Sequence, residues 1–387
     1  MSIFSHTLKD IDTWFEEAAK KVTSIRHWQY LLPALCVALV HFVSFPDYNN
    51  LTLNGESTWN VVLKQIDDPT TQYYLDDPEH HNAKRTFRLT VPIIFRLAGI
   101  SNILVIYLFQ VLLWYCLYFL IVRLVAKTTN SPSLRILIPL SICFTYLGQV
   151  GVVDVFAKFD SVAIFFLFTA MITRNPILIF CSMSLAYFTD ERSLLSGILI
   201  VLWWQFGKLD NSLTLNKRFF RPCIQSVTIV LATLFYIFIR FYLSDRYSFV
   251  EMTGDVGFQV LSRQLNMLLF GILSPFDGIW VLFILSLFIL FKLRQYFILL
   301  ILVLVFILSI IASFLVIDIS RSLLYAFPLL VICYRYLNQK LTEFELKGVF
   351  SIILFINVLI PTYAAYGAFR IETDNPFFIR LVGLLLK

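Results

Sequence analysis

Long apolar runs separated by short charged clusters constrain this chain more than any other feature of its sequence. Runs such as Ile100–Val122, Phe297–Ile317 and Val349–Ala365 are close to the ~20 residues with which a helix crosses a membrane. Only 14% of the residues are charged, whereas a soluble domain carries about 25%. Lipid-exposed backbone must pair its polar groups within its own segment, which excludes strands for these runs. The sequence therefore predicts an all-α, polytopic membrane protein.

About eleven apolar segments are predicted membrane spans. They are Tyr30–Phe45, Ile100–Ala126, Ile136–Val152, Ser161–Ile172, Ile177–Tyr187, Leu194–Phe206, Ile224–Leu243, Trp280–Phe291, Phe297–Val316, Leu323–Tyr334 and Val349–Tyr366. Residues 265–276 are apolar but short and contain Pro275, so we expect a re-entrant or interfacial piece there. The spans between residues 161 and 206 are shorter than a full crossing. We expect their charged ends to lie below the membrane surface, in a protein cavity.

The basic residues collect in alternate loops, which predicts the orientation by the positive-inside rule. These loops carry Lys20, Lys21, Arg26, Arg123, Lys127, Arg135, Arg174, Lys208, Lys217, Arg218, Arg221, Lys292, Arg294, Arg335, Lys340 and Lys347. We assign their face to the cytoplasm, together with an amphipathic N-terminal segment, 1–29, that lies on the membrane surface. Residues 30–387 are predicted to form one polytopic domain with a long outer loop, 46–99. The net charge of +6 has no aromatic-basic groove beside it, so nucleic-acid binding is not expected.

The first outer loop has a distinctive layout. Asp47 directly follows the first span, and an amphipathic stretch, Thr58–Ile66, comes next. Arg85 and Arg88 precede Pro92, where the chain turns towards the next span. This layout resembles the GT-C superfamily of membrane glycosyltransferases, which use polyprenyl-phosphate-linked sugars as donors.

The resemblance covers the N-terminal half of the chain and implies a role for each part of the loop. Asp47 matches the family's catalytic acid, the amphipathic stretch matches a juxtamembrane helix, and Arg85 and Arg88 match its basic approach to the next span. Glycosyl transfer needs a base for the acceptor and cations for the departing lipid phosphate. We expect Asp47 to be that base, and Arg85, Arg88 and Arg192 to bind phosphate through their guanidinium forks. The alternatives are a helix-ending aspartate and interfacial anchors.

Further charged residues lie at the predicted outer ends of spans, where an ionisable group indicates function by default. They are Asp154, Lys158, Asp160, Asp190, Glu191, Arg192 and Arg321. On a helix Asp154 and Lys158 would face the same side. We predict that Asp160 and Asp190 are catalytic and that the others bind substrate. The alternatives are a capping ion pair at Asp160, an exposed charged turn at Asp190 and a salt bridge between Arg321 and Asp318.

Adjacent histidines in the first outer loop suggest a divalent cation. His80 and His81 lie near Asp76, Asp77 and Glu79, although the spacing matches no standard zinc pattern. We therefore keep these two histidines as candidate metal ligands.

The favoured function is transfer of a sugar from a polyprenyl-phosphate donor to a glycan, lipid or protein acceptor at the outer face. A transporter or flippase would need charges deep within spans, broken helices and internal symmetry. A polymerase of lipid-linked glycans would carry its large loop late in the chain, and a non-catalytic scaffold of an envelope complex needs no such cluster. The sequence ends without a retention signal, so we expect a bacterial inner membrane.

Overall fold

The structure is a computed structural model and is predominantly helical, with one short hairpin near its C-terminus. It describes residues 2–51, 58–70, 85–208, 219, 221–247, 249, 257–360, 362–366, 370–373 and 382–383. The helices of the first half are α1 (Ser2–Ser24), α2 (Trp28–Ser44), α3 (Thr58–Asp67), α4 (Thr90–Ala98), α5 (Ile103–Thr128), α6 (Pro132–Cys143), α7 (Tyr146–Val153), α8 (Asp160–Ile172), α9 (Pro176–Thr189) and α10 (Ser193–Phe206). Those of the second half are α11 (Ile224–Tyr247), α12 (Phe258–Gln264), α13 (Leu268–Leu273), α14 (Trp280–Lys292), α15 (Tyr296–Phe314), α16 (Ile319–Leu324), α17 (Phe327–Lys340) and α18 (Glu343–Leu359).

Among the described residues, three helices, α5, α11 and α15, are long and apolar enough to cross a membrane. The number rises to six if three bent pairs each count as one span. These pairs are Thr13–Ser24 with α2, bent by 115°, α6 with α7, bent by 62°, and Leu265–Leu273 with Asp277–Lys292, bent by 84°. The predicted helical class is confirmed, and the apolar helices are compatible with an integral membrane protein. The larger number of about eleven crossings stays a prediction.

The C-terminal end of the last predicted span is wrong. Helix α18 ends at Leu359, and residues 363–366 form β1 (Tyr363–Tyr366), which pairs with β2 (Arg370–Thr373). The pairing is antiparallel, with Tyr363 opposite Thr373. The sequence places Pro361 between helix and hairpin, and proline lacks the backbone donor that a continuing helix would need.

Close packing between α5 and α7 fixes the loop that leads into α8. Trp114 Nε1 and Tyr118 Oη both donate to the carbonyl of Gly148, at 2.9 and 3.1 Å. A Cβ at Gly151 would lie 2.2 Å from the Trp114 ring, so only glycine allows this approach. The N-terminal end of α8 is thereby held close to α5.

A small apolar cluster lies beneath the first outer loop. The amphipathic stretch predicted at Thr58–Ile66 forms α3, whose buried Trp59 packs edge-to-face on Phe159, with 5.9 Å between ring centroids. Val155 and Phe95, from the α7–α8 loop and from α4, belong to the same cluster. The first outer loop is thus anchored over the start of α8.

Candidate functional site

A buried network of ionised side chains lies where α8, α9, α10 and α16 meet. We call it the charged network, and its members are Arg88, Asp160, Asp190, Glu191, Arg192, Asp318 and Arg321. The acidic and basic members lie at helix ends, in a short helix or in the loops and turns between helices, because the intervening segments are apolar. The structure therefore brings together predicted site residues that are up to 233 residues apart in the sequence.

Asp160, the first residue of α8, lies at the centre of the network and is 1% exposed. Its Oδ1 accepts hydrogen bonds from Arg192 Nη2 at 2.8 Å and from the Tyr325 hydroxyl at 3.0 Å. Its Oδ2 accepts from Arg321 Nε at 2.6 Å. Both carboxylate oxygens are thus engaged by charged or hydroxyl donors, which is a strong and directional arrangement.

Asp190 caps the C-terminal end of α9 and is fully buried. Its two oxygens accept from Arg192 Nε at 2.7 Å and Nη2 at 2.6 Å, and Arg88 Nη1 lies 3.1 Å from Oδ2. Burial favours the neutral carboxyl, but Arg192 and Arg88 outweigh it and hold the pKa of Asp190 well below its usual value. Asp190 is therefore ionised, and its carboxylate bridges Arg88 and Arg192.

Arg88 links the first outer loop to the turn between α9 and α10. Its Nε and Nη2 donate to the two oxygens of Glu191 at 3.2 and 2.9 Å, a bidentate pair. The Glu191 side chain is 33% exposed, whereas Asp190 beside it is fully buried. Glu191 thus marks the solvent-facing edge of the network.

Arg321 differs from the other two arginines of the network. Its Nε binds Asp160 and its Nη1 binds Asp318 Oδ2 at 2.6 Å, but its buried Nη2 has no hydrogen-bond partner among the described residues. All three guanidinium nitrogens of Arg88 and of Arg192 have partners. A buried donor left unpaired costs about 1–3 kcal/mol, so this donor is available to a group that the described residues do not supply.

The α7–α8 loop, residues 154–159, has an unusual backbone conformation. Ala157 and Phe159 adopt positive φ angles of 55° and 61°, which non-glycine residues rarely do. The Asp154 carboxylate stabilises the loop by accepting from the backbone N–H groups of Phe156, Lys158 and Phe159, at 3.3, 3.0 and 2.6 Å. Strained backbone held this firmly is typical of functional sites.

The predicted helical pairing of Asp154 with Lys158 is wrong. Helix α7 ends at Val153, and the Asp154 carboxylate binds backbone N–H groups, so the two side chains share a loop and no helical face. Burial, together with the nearby positive charge of Arg321, lowers the pKa of Lys158 to about 7. An anion bound near Lys158, which lies two residues before Asp160, would stabilise the protonated form of this lysine.

Arg85 is buried and supports the same loop. Its Nη1 donates to the carbonyl of Ala157 at 2.8 Å, while Trp59 Nε1 donates to Val155 at 2.8 Å. The geometry thus gives Arg85 a part in holding residues 154–159.

Asp47 lies apart from the charged network. It is exposed and caps a short 3-10 turn, where Oδ1 accepts from the Asn49 backbone N–H at 3.2 Å and from its side-chain amide at 2.9 Å. The neighbouring Tyr48 ring packs edge-to-face on Tyr107, with 6.0 Å between centroids. Tyr107 belongs to the cluster beneath the first outer loop, so Asp47 lies on the same side of the molecule as residues 154–159.

The candidate metal ligands His80 and His81 lie outside the described residues. Within the part of the chain that the structure describes, no group of three or more His, Cys, Asp or Glu side chains is arranged to hold a metal ion.

Tyr325 is a site residue that the sequence reasoning missed. It is fully buried, donates to Asp160, and its ring lies 5.2 Å from the Arg192 guanidinium carbon. Its position in the sequence could have identified it, because Tyr325 follows Arg321 by four residues and so shares a helical face with it.

No protein-family model, curated protein or solved structure matches this chain.

Proposed function

We propose that this protein is a GT-C-like glycosyltransferase of the bacterial inner membrane, with about eleven spans and a cytoplasmic N-terminus. It would move a sugar from a polyprenyl-phosphate donor to a glycan, lipid or protein acceptor at the outer face. The proposal depends chiefly on Arg321. Its buried Nη2 has no hydrogen-bond partner among the described residues, and it lies in the charged network at one end of the short helices α8–α10.

Arg321 and Lys158 are the proposed ligands of the donor phosphate. When the glycosidic bond breaks, negative charge grows on the lipid phosphate, and a preorganised cation in a dry site stabilises that charge. The remaining arginines, Arg88 and Arg192, are neutralised by Asp190 and Glu191, so their proposed role is to position the site.

Asp47 remains the proposed general base. Its carboxylate is exposed and, among the described residues, accepts hydrogen bonds from Asn49 alone, so an acceptor hydroxyl can approach it. Asp160 and Asp190 each bind two arginines, so their carboxylate oxygens are already occupied and an acceptor hydroxyl cannot approach them as it can Asp47. We assign these two carboxylates to positioning of the arginines.

The broken helix pairs favour a second candidate, a transporter of lipid-linked glycans. The pairs α6 with α7 and Leu265–Leu273 with Asp277–Lys292 are bent by 62° and 84°, and discontinuous helices line the substrate sites of many transporters. Such a protein would move the intact donor across the membrane and leave its glycosidic bond unbroken.

The test is a transfer assay with purified protein in liposomes and a labelled polyprenyl-phosphate sugar. We expect release of the sugar to an acceptor, loss of at least about 10²-fold in rate for Asp47→Asn, and little change for the control Asp67→Asn, which makes the same charge change at an exposed residue of α3. Flipping of intact donor without release would support the transporter. A fully active Asp47→Asn protein would remove Asp47 from the base role, and chelation with EDTA decides whether a divalent cation takes part.

A further inference from the structure

The opposite end of α8–α10 carries a second feature, a cavity of about 430 Å³ lined by basic and apolar side chains. Its cations come from three regions: Arg123 and Lys127 from α5, Arg174 from the α8–α9 turn, and Arg335 from α17. None of the described residues that line it is acidic. Asp160 starts α8 at the charged network, whereas this cavity lies beside the helix's last residues, so the two sites are about 20 Å apart along the helix.

The four cations have no acidic counter-ion among the residues that the structure describes. Among the described residues, none of the four forms an ion pair. The guanidinium carbon of Arg335 lies 4.9 Å from the centre of the Trp203 ring, a cation–π contact that leaves its positive charge uncompensated. The positive-inside rule explains basic residues on this face but does not explain their convergence around one cavity.

The negative end of α8 is covered where it meets the cavity. A helix exposes unpaired carbonyls and a partial negative charge at its C-terminal end, which would repel an anion. Here Trp203 Nε1 donates to Met171 at 2.8 Å and Trp204 Nε1 donates to Ala170 at 3.3 Å. The indole groups thus occupy carbonyls that would otherwise face an anionic ligand.

Apolar residues complete the cavity and point to a lipid. Leu120, Leu124 and Leu178 lie in its wall, and Leu178 is 46% exposed on the outer surface of the helices. Leu124 also lines an adjoining cavity of about 90 Å³, which extends between α5, α6, α8 and α17 towards Trp114 and has only Ser141 and tyrosines as polar residues. A soluble anion needs no such apolar surface, whereas a lipid acyl chain does.

We propose that this basic cavity binds the phosphate headgroup of an anionic membrane lipid, with the lipid chains against Leu120, Leu124 and Leu178. Guanidinium and ammonium groups recognise phosphate oxygens by charge and by hydrogen bonds. The site is independent of the proposed glycosyl transfer, because it lies at the other end of α8–α10 and shares no residue with the charged network.

The test is native mass spectrometry of the full chain in detergent with phosphatidylglycerol and, for comparison, zwitterionic phosphatidylcholine. Lys127 and Arg174 are exposed, so the double variant Lys127→Gln/Arg174→Gln is expected to fold normally. The control Lys292→Gln/Arg294→Gln removes the same charge from exposed positions on the same predicted face, outside the cavity. We expect the wild type and the control to retain phosphatidylglycerol preferentially and the cavity variant to bind it at least about tenfold more weakly.

Three outcomes would overturn the proposal. Equal losses in the two double variants would show that the whole basic face attracts anionic lipid. Displacement of the lipid by glycerol phosphate at similar concentration would show that the site binds soluble phosphate. Equal binding of both lipids by the wild type would show that the cavity does not recognise a net negative headgroup.

Discussion

At the scale of single residues, Arg321 and Lys158 distinguish the charged network, as a proposed ligand site, from a purely structural ion cluster. A cluster that serves only to join helices has its donors and acceptors matched, as they are around Arg88 and Arg192. Among the described residues, one buried N–H donor of Arg321 has no hydrogen-bond partner, and the pKa of nearby Lys158 is lowered. An anion such as a lipid phosphate would accept a hydrogen bond from Arg321 and would stabilise the protonated form of Lys158.

The first residue-scale prediction concerns the fork of Arg321. Arg321→Lys keeps a positive charge between Asp160 and Asp318 but loses the planar fork whose Nε and Nη1 bind the two carboxylates while Nη2 is left for a phosphate. We expect the affinity for a polyprenyl-phosphate sugar to fall at least about tenfold, a loss of about 1.4 kcal/mol, in a protein that still folds. The control is Arg240→Lys, whose parent arginine stacks on Phe87 at 4.4 Å and contacts the Tyr236 hydroxyl. Unchanged donor affinity in Arg321→Lys would remove Arg321 from the phosphate site.

The second prediction is a pH dependence from Lys158. Its pKa is lowered from the ordinary 10.5 to about 7, so the free site holds an ammonium below pH 7 and a neutral amine above it. A bound phosphodiester, whose own charge is constant in this range, would raise that pKa again. We therefore expect donor affinity to be constant below pH 7 and to fall above it, by up to about tenfold per pH unit.

The matched variants for this titration are Lys158→Gln and Lys158→Arg. The glutamine variant should bind weakly and without pH dependence near neutrality, and the arginine variant should bind at all of these pH values. An unaltered profile in Lys158→Gln would assign the titration to another group.

At the scale of helices and loops, the short helices α8, α9 and α10 place their charged ends close together. Helices of 13 and 14 residues rise only about 20 Å, whereas a hydrocarbon core is about 30 Å thick. Under the proposed assignment of these helices as spans, the charges at their ends lie below the level of a full crossing. In the structure these charges are buried against α16. The α7–α8 loop, fixed by Asp154 and Arg85, sets where α8 begins.

The prediction at this scale concerns Gly151 in α7. In Gly151→Ala the new Cβ would lie 2.2 Å from the Trp114 ring, so α7 must shift, at a cost of about 1–3 kcal/mol. We expect a lower melting temperature in detergent and a lower transfer rate, because the α7–α8 loop moves with the helix. The control is Gly348→Ala in α18, where a Cβ meets nothing within 4 Å. This control should be neutral or slightly stabilising, and equal stability of the two variants would contradict the close packing.

Much of the helical pattern was predictable from the sequence, because apolar length dominates in such a chain. The predicted Ser161–Ile172 and Leu194–Phe206 segments lie within one residue of α8 and α10. The amphipathic stretch at Thr58–Ile66 likewise forms α3. The hairpin after Leu359 was missed, since residues 360–366 continue the apolar composition of α18.

The residues of the site could be predicted from the sequence, but their contacts with one another could not. Charge at the end of an apolar run marks Asp160, Asp190 and Arg192 without an alignment. Their mutual contacts depend on how four helices pack, which local sequence does not encode. Asp154 shows this limit, because helical spacing pairs it with Lys158 whereas the loop turns its carboxylate onto backbone N–H groups.

At the scale of the whole molecule, the two ends of α8–α10 differ in charge. One end holds the nearly neutral charged network, and the other holds the basic cavity with Arg174 and Arg335. In the orientation that we propose from the positive-inside rule, the basic cavity faces the cytoplasm and the charged network faces outward. This arrangement is the one that a transferase using lipid-linked donors at the outer face requires.

The prediction at this scale is the sidedness of single cysteines in a background without the six native ones. Asn49→Cys, beside Asp47, should react with a membrane-impermeant thiol reagent added to intact cells. Arg174→Cys should react only after the membrane is opened. Both residues are exposed, so a reversed labelling pattern would invert the orientation and contradict an outer-face reaction.

The most direct measurement is a cryo-EM structure of the purified protein with an intact polyprenyl-phosphate sugar bound. We expect the phosphate within hydrogen-bond distance of Arg321 Nη2 and Lys158 Nζ, with the sugar directed towards the first outer loop and Asp47. Density for the phosphate away from Arg321, with Nη2 still unpartnered, would contradict the assignment of the charged network as a donor site.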